Sequence, residues 1–400
     1  MDIDPLFDLS RSESLFARAK DVAPDVVGRF VEVGGTPPFI VRGEGCRLFD
    51  EDGNRYVDLD MGRGGAILGH AAKPIREAMA EAAARGSMVD LPTLADVELA
   101  EMIRTRMPFV EELRFARTDV DAIEGAVRAA RVVTGRTRVV TIGRGSDASL
   151  SNDLSAVEAL MNTRGAEVAA LVVDPLGGHS GCVPPAAGFL AGLRSLCDRH
   201  GAWLVFDEVL SGFRVARGGC RSVCKVTPDV TCMGALVGGG LPFGVFGGRR
   251  DAMRRMVALG DAGASGTTSG NPLAVARGLA MLRALDTTDA WRKLEDAGAY
   301  LQAGLENILD SLGIPGHVPR EGSMLGLHFA DKPCTTVADV AATDRARFTV
   351  FFHGMLRRGV LIPPSPFDCW FLSTAHDDDA LDHVLDAARS ALRDTMSTAV

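Results

Sequence analysis

Short apolar segments alternate with amphipathic segments between residues 138 and 247, and this alternation is the strongest constraint on the fold. The apolar runs have the length of strands, and the segments between them have helical periodicity. Strands that alternate with helices pair in parallel, because each helix returns the chain to the same edge of the sheet. The sequence therefore predicts an α/β fold with a mostly parallel central sheet covered by helices. The predicted strands are 139–142, Val168–Val173, 203–206, Val230–Met233 and 245–247, and the helices between them are 154–162 and 188–200.

The segments on either side of this region predict a second, smaller unit. Alternating apolar positions around Asp52-Gly53-Asn54 indicate a β-hairpin. The long helical pattern Ala290–Leu312 predicts a spacer that leads to a C-terminal α+β domain. We expect an N-terminal segment (1–50) that joins the small domain, a large domain (51–290) and a C-terminal small domain (291–400). Further helices are predicted at 12–23, 72–85, Leu94–Arg106, 123–134, 271–284, 343–358 and 378–396.

Composition narrows the classes of partner. A net charge of −9 over 400 residues argues against nucleic acid and anionic membrane surfaces, which bind basic patches. No apolar run approaches the roughly 20 residues that span a bilayer. The acidic start lacks the basic and apolar regions of a secretion signal, so we expect a cytoplasmic protein. The eight cysteines lack metal-site spacing and predict free thiols, with no metal centre. A small-molecule metabolite is the expected partner.

Several segments together resemble the glutamate-1-semialdehyde aminomutase branch of the class III aminotransferases. Their order and spacing cover about residues 12 to 392, so no single motif carries the resemblance. It implies the fold of type I pyridoxal phosphate enzymes and a homodimer whose cleft is built from two chains. The segments are Val33-Gly-Gly-Thr-Pro-Pro-Phe, Asp52-Gly-Asn-Arg-Tyr-Val-Asp, Ile67-Leu-Gly-His, Phe206-Asp-Glu-Val-Leu-Ser-Gly-Phe-Arg, Val226-Thr-Pro-Asp, Gly238-Gly-Gly-Leu-Pro-Phe-Gly, Ser269-Gly-Asn-Pro-Leu-Ala and Phe371-Leu-Ser-Thr-Ala-His.

The resemblance also implies a set of cofactor contacts, which this sequence matches only in part. Asp207 matches the aspartate beneath the pyridine nitrogen, and Thr267 matches the threonine that reaches the phosphate of the partner subunit. The lysine that binds the cofactor covalently is expected at position 235, where this chain has Ala235. The phosphate-binding Ser-Gly-Thr turn aligns with Thr118-Asp119-Val120, and the loop that follows the next strand is shorter by roughly thirty residues. We therefore expect no cofactor, with pyridoxal phosphate present only if Ala235 is an engineered substitution.

Two residues are candidates for catalysis without the lysine. Asp207 would be a buried carboxylate at the bottom of the cleft. His179 lies in a glycine-rich loop after a predicted strand, where the resemblance implies an asparagine that faces the cofactor ring. A histidine there suits proton transfer near neutral pH. The alternatives are a carboxylate satisfied by backbone N–H groups and a histidine that fills the space of the cofactor.

Three further residues are candidates for substrate binding. Arg63 aligns with an aromatic residue that lines the substrate channel of the family, and a guanidinium there suits a carboxylate or phosphate. Asp368 belongs to the polar residues expected around the same cleft. Arg29 aligns, within one residue, with the arginine that binds the substrate carboxylate in the family. For Arg63, an arginine that pairs with surface carboxylates is the alternative.

Three hypotheses about function follow. The first is an enzyme that uses His179 and Asp207 as an acid–base pair, independently of pyridoxal phosphate, on a small amino- or carboxylate-bearing metabolite. The second is a catalytically inactive homologue that binds a ligand or a partner enzyme. The third is an ordinary pyridoxal phosphate aminotransferase or aminomutase with an engineered Ala235.

Overall fold

In the part of the chain that the structure describes, the central sheet has six strands and lies between two layers of helices. A computed structural model of the chain describes residues 7–23, 28, 30, 32–87, 91–143, 145–258 and 269–397. The strands are β4 (Glu112–Ala116), β5 (Arg138–Ile142), β6 (Val168–Val173), β7 (Trp203–Glu208), β8 (Val230–Met233) and β9 (Gly244–Gly248), in the spatial order β4-β9-β8-β7-β6-β5. Strands β5 to β8 are parallel, and β9 is antiparallel to both of its neighbours. The predicted α/β class with a mostly parallel sheet is confirmed.

Burial on both faces explains why these strands are almost continuously apolar. Every residue of β6, β7, β8 and β9 is buried. The helices before and along the sheet are α1 (Ser10–Val22), α2 (Lys73–Arg85), α3 (Leu94–Arg106), α4 (Asp119–Thr134), α5 (Leu154–Arg164), α6 (Phe189–His200), α7 (Arg221–Cys224), α8 (Ala235–Gly238) and α9 (Arg250–Ala258). In β6, Leu171 and Val173 belong to an apolar cluster shared with α5 and α6, whereas Ala170 and Val172 belong to another cluster shared with α4 and α9.

The hairpin predicted near the N-terminus joins a sheet with the C-terminal part of the chain. Strands β2 (Arg47–Asp50) and β3 (Arg55–Asp58) are antiparallel, as predicted, and β3 pairs in parallel with β12 (Val360–Leu361). One apolar cluster combines buried side chains from the range 33–59 with buried side chains from the range 301–392. The remaining elements are β1 (Ile40–Glu44), α10 (Pro272–Thr287), α11 (Ala290–Leu312), β10 (Arg320–Glu321), β11 (Met324–Leu325), α12 (Val337–Ala341), α13 (Arg345–Leu356), β13 (Trp370–Phe371) and α14 (Asp378–Ser397).

This pairing places the N-terminal hairpin and the C-terminal part of the chain in one sheet. Because β3 lies in the same sheet, the sheet extends beyond residue 50, where the N-terminal segment was expected to end. The division into three segments remains a prediction. In the described part of the chain, no helix is both long and apolar enough to cross a membrane.

A buried arginine links the two units. Arg214 is 1% exposed, and its guanidinium donates to the Ser323 hydroxyl (3.0 Å), to the Leu372 carbonyl (3.0 Å) and to the Gly64 carbonyl. Burial lowers the pKa of Arg214 to about 9, which reflects the cost of removing the charge from water. At neutral pH the side chain still carries its proton and holds three separate segments of chain together.

Acid is expected to destabilise the fold through His376. Its Nδ1 accepts from the Ser373 N–H (3.0 Å), its Nε2 lies 3.1 Å from the Asp58 carbonyl, and burial lowers the pKa of His376 from 6.5 to about 4. Between these pH values the unfolded chain binds a proton that the folded chain does not, so stability falls as the pH drops from about 6.5 to about 4. Between these pH values, the free energy of unfolding of His376→Asn should fall by about 2 kcal/mol less than that of the unaltered protein. Urea titrations at several pH values measure this difference. His383→Asn, at an exposed histidine, serves as the control, and an unchanged pH slope in the His376 variant would contradict the assignment.

Candidate active site

The candidate site lies at the edge of the sheet where the parallel strands β6 and β7 end. Asp207 is the last residue but one of β7 and is 4% exposed. Its Oδ1 accepts a hydrogen bond of 3.2 Å from the Val209 N–H. Ligands of open α/β sheets bind outside the carboxyl ends of the strands, so Asp207 occupies a favourable position for ligand binding.

His179 reaches Asp207 from the loop that follows β6. Its Nε2 lies 3.8 Å from Asp207 Oδ2, and its side chain is 15% exposed. The loop is wound around Asp174, whose Oδ1 accepts from the Leu176 N–H (3.1 Å) and whose Oδ2 accepts from the His179 N–H (3.0 Å). The structure therefore brings the two predicted catalytic residues together.

Asp174 is a site residue that the sequence reasoning missed. Its two backbone contacts form an Asx-type turn, for which the signal in the sequence is an aspartate followed by proline and two glycines. A cavity of about 30 Å³ lies beside this loop and is large enough for water. Its polar lining comes from Ser151, Asn152, Asp174, His179 and Ser180.

Ala235 begins the short helix α8 beside the same strand end. Its N–H donates to the Val209 carbonyl (3.1 Å), two residues after Asp207. The five lysines of the chain are all exposed, so none of them lies among the buried groups around Asp207. The other end of the site is acidic, because α4 starts with Asp119 and Asp121.

The start of α4 was predicted four residues too late. Thr118 caps the helix by accepting from the Asp121 N–H (3.0 Å), so the helix begins at Asp119 instead of residue 123. A carbon atom built in place of a Gly234 hydrogen would lie 2.5 Å from Asp119 Cβ, which shows that Asp119 packs directly against the segment that leads to Ala235. Carboxylates complement the helix dipole but repel a phosphate dianion.

Arg63 and Asp368 lie on segments that meet the same site. Arg63 is exposed in a turn whose Gly65 packs beside the Ala235 carbonyl and the Gly240 N–H. Asp368 lies in a loop that contacts the His179 loop through a hydrogen bond of 2.7 Å from the Gly181 N–H to the Phe367 carbonyl. Arg29 and Thr267 lie outside the described residues.

One apolar cluster explains why these segments converge. The cluster contains residues from the Arg63 turn, the His179 loop, the end of β7 and the Asp368 loop, so each described candidate has a near neighbour in sequence within it. Its buried members are Met61, Cys182, Val209, Leu210, Met324, Cys369 and Phe371, and Ala235 packs against them. Among the described residues, no group of three or more His, Cys, Asp or Glu side chains could hold a metal ion.

Comparison with known proteins identifies the family. The model of aminotransferase class III matches residues 30–146 and 144–384. The chain belongs to this family. It is 40% identical to glutamate-1-semialdehyde 2,1-aminomutase of Roseiflexus castenholzii (strain DSM 13941 / HLO8) over 427 residues, which cover 97% of this chain and 98% of that protein.

Solved structures agree in fold with the class III assignment. An omega-transaminase from Sphaerobacter thermophilus is 29% identical with a TM-score of 0.89, over 98% of this chain and 100% of that one. A lysine-to-alanine variant of glutamate-1-semialdehyde aminomutase from Pseudomonas aeruginosa PAO1, in complex with PMP (pyridoxamine phosphate), is 26% identical with a TM-score of 0.82. That comparison covers 97% of this chain and 99% of that one.

The expectation of no cofactor is wrong. The family and its solved members bind vitamin B6 cofactors, and the Pseudomonas variant carries PMP although one of its lysines is alanine. The expectation treated the missing family contacts, which are the lysine, the phosphate turn and the longer loop, as the loss of the cofactor itself, although a cofactor is also held by contacts to its ring. In this chain the buried Asp207 fits a protonated ring nitrogen, whereas the acidic start of α4 does not fit a phosphate.

The conformation of the His179 loop is expected to depend on Gly177. This glycine has φ +68°, and a side chain there would overlap the Val183 carbonyl. We expect Gly177→Ala to destabilise the protein by about 3 kcal/mol, because it adds a steric clash to backbone strain. Gly188→Ala is the matched control, since Gly188 has φ +79° and no atom within 4 Å of the added carbon. It should lose only about 1 kcal/mol, and equal losses in urea denaturation of the two variants would disprove the clash.

Proposed function

We propose that this chain is an aminotransferase- or aminomutase-type enzyme that binds a vitamin B6 cofactor without a covalent bond. Its substrate would be a small metabolite with an amino group and a carboxylate, and His179 and Asp207 would be its acid–base pair. The observation that carries the proposal is the approach of His179 Nε2 to Asp207 Oδ2, 3.8 Å apart, in a chain whose lysines are all exposed.

The chemistry divides between the cofactor and the protein. A bound B6 cofactor supplies an electron sink for the bond-breaking step. Asp207 supplies a buried carboxylate that would pair with the ring nitrogen of the cofactor. His179 moves a proton between substrate and solvent near neutral pH, a task that the lysine performs in relatives.

The charges at the edge of the site suit an amino acid type of ligand. Asp368 offers a carboxylate to an amino group, and Arg63 offers a guanidinium to a carboxylate. Arg29 remains a further prediction for the carboxylate end. One relative is named glutamate-1-semialdehyde 2,1-aminomutase, so glutamate-1-semialdehyde is the first substrate to test.

A homodimer belongs to this proposal, because class III aminotransferases are typically dimeric. The exposed apolar residues Leu91, which precedes α3, and Leu94, its first residue, would be covered in such an assembly. A cytoplasmic location also remains a prediction.

A catalytically inactive homologue is the second candidate function. The observation that favours it is the pair of carboxylates at the start of α4, which weakens phosphate binding. Such a protein would bind a ligand or a partner enzyme through the same site. An engineered Ala235 is a third explanation, and comparison of residue 235 with the genomic sequence tests it directly.

Restoration of the lysine tests whether the site still accepts the cofactor. We expect Ala235→Lys to gain a covalent adduct with pyridoxal phosphate that borohydride makes permanent, because residue 235 lies beside the strand end that carries Asp207. The adduct is measured by intact mass and by absorbance between roughly 330 and 430 nm, the range of the cofactor chromophore. Val223→Lys, at an exposed position of α7, is the control. The unaltered protein should retain PMP reversibly, and no adduct in Ala235→Lys would refute a B6 site.

Replacement of His179 tests the acid–base pair. With glutamate-1-semialdehyde as substrate, we expect His179→Gln to lower the rate of amino-group transfer by about 100-fold or more, whether the group leaves the substrate or moves within it. The reason is that a positioned general base accelerates such a step by at least that factor. The dissociation constant of PMP should change little. His383→Gln, at an exposed histidine, is the control. Unchanged turnover in His179→Gln would remove the pair from the mechanism, and no turnover in the unaltered protein would favour the inactive homologue.

A further inference from the structure

A second cavity, of about 1030 Å³, lies between the hairpin β2–β3, the turn that follows α13, and the helix α14. Its volume is comparable with the upper end of the range found for pockets that bind small molecules. It shares no lining residue with the cavity beside the His179 loop, and none of the candidate active-site residues lines it. Five of its lining residues are arginines, namely Arg47, Arg55, Arg357, Arg358 and Arg389.

Backbone contacts bring these arginines together from distant parts of the chain. The Val57 N–H donates to the Gly359 carbonyl (2.8 Å), which joins β3 to the turn that carries Arg357. Gly359 has φ +72°, and a carbon atom added there would lie 2.8 Å from the Arg55 carbonyl, so the turn fits closely against the start of β3. The fold therefore fixes the backbone positions of Arg55 and Arg357 on the same cavity.

Two of the five arginines have partners that explain them structurally. Arg358 is buried, and its Nη1 donates to the Gly354 carbonyl (2.9 Å) and pairs with Asp394 (2.8 Å). Arg47 Nη2 lies 3.5 Å from Asp377. These two side chains contribute to the fold as well as to the charge of the cavity.

The other three arginines are not explained in this way. Within the described ranges of the chain, Arg55, Arg357 and Arg389 form no ion pair with a carboxylate. Arg357 is half-buried, and its Nε is buried without a hydrogen-bond partner among the same residues, although buried polar atoms normally have one. Because like charges that share a cavity repel each other, an anion between these groups would be bound favourably.

Three carboxylates also line the cavity, and they do not balance the arginines. Asp52 accepts hydrogen bonds from the N–H groups of Arg11 (2.6 Å) and Ser12 (3.0 Å) at the start of α1, so its charge is already satisfied. Asp379 and Asp386 are exposed on α14. The cavity therefore has an excess of positive charge, in a chain whose net charge is −9.

We propose that this cavity is a second binding site, separate from the candidate active site, for a small anion with two or more negative charges. Guanidinium groups bind phosphate and carboxylate groups through paired hydrogen bonds, so the ligand is a phosphate ester or a polycarboxylate. Arg55, Arg357 and Arg389 make the contacts, and the exposed His383 also lines the cavity. The inference is independent of the proposed function, because neither member of the acid–base pair lines this cavity.

Two multivalent anions test the site and distinguish the two kinds of ligand. Binding of tripolyphosphate and of citrate to the full chain is measured by calorimetry at a constant ionic strength of about 0.15 M, with acetate as the monovalent comparison. We expect at least one of the two to bind with a dissociation constant below about 1 mM. Tighter binding of tripolyphosphate would identify a phosphate ligand, and tighter binding of citrate a carboxylate ligand. No binding of either, or equal binding of acetate, would overturn the proposal.

Substitutions of single arginines locate the bound anion. We expect Arg55→Gln and Arg389→Gln each to weaken the tighter of the two anions by at least about fivefold, because each removes a charge-assisted contact. Arg255→Gln is the matched control, since Arg255 is exposed on α9 and lies outside the cavity. It should leave the affinity within about twofold. Equal affinities of the control and both cavity variants would place the anion elsewhere on the protein and refute the site.

Thermal stability separates a ligand-binding arginine from a structural one. Without an anion, Arg389→Gln should keep the Tm within about 1 °C, because the residue is exposed and its nearest charges in the cavity include other guanidinium groups. The anion should raise the Tm of the unaltered protein by about 3 °C at a hundredfold excess over its dissociation constant, and that of Arg389→Gln by less at the same concentration. An equal rise in both proteins, or a large loss of Tm in Arg389→Gln without the anion, would contradict the role of Arg389 in binding.

Discussion

The structure around the candidate site depends on a buried guanidinium whose described partners are backbone carbonyls and a hydroxyl. Arg214 connects the Arg63 turn, the segment before β11 and the segment after β13. A buried charge is costly unless its donors are satisfied, so each of these three acceptors must remain in register. The alignment of the small unit with the central sheet is therefore coupled to the shape of the turn at the site.

The second constraint is the burial of Asp207. A carboxylate that is 4% exposed requires a donor or a cation, and the chain supplies a backbone N–H and the imidazole of His179. Because Asp174 fixes the His179 loop by two backbone hydrogen bonds, the imidazole approaches with little freedom. The two side chains are thus held close together before any ligand enters, which is the arrangement that the proposed proton transfer requires.

Local signals predicted most of the fold, whereas long-range contacts were missed. The strands β6 and β8 and the helices α3 and α11 have the predicted bounds. The two strands are short, continuously buried apolar runs, α3 starts at a capping box formed by Thr93 and Asp96, and α11 is strongly amphipathic and ends at Gly313. The strand β11 (Met324–Leu325) has no such local signal, since it and its pairing partners β10 and β13 are each only two residues long. Arg214 escaped notice because its three acceptors are 109 to 158 residues away along the chain. The closeness of His179 and Asp207 followed from the family resemblance, not from any local pattern.

The two ends of the site impose different demands on a cofactor. At one end, Asp207 favours a protonated ring nitrogen. At the other, a phosphate dianion about 5 Å from a carboxylate would be opposed by about 3 kcal/mol for each pair of unit charges at an effective dielectric constant near 20. The positive end of the α4 helix dipole would offset this repulsion by about 1 kcal/mol at most. The carboxylates of Asp119 and Asp121 already interact with that end of the helix. The proposed B6 cofactor would therefore bind with useful affinity only if its phosphate lay away from the start of α4 or received cations from elsewhere, such as a second subunit. Of the described residues, Asp119 and Asp121 at this helix start most oppose the binding of a phosphate.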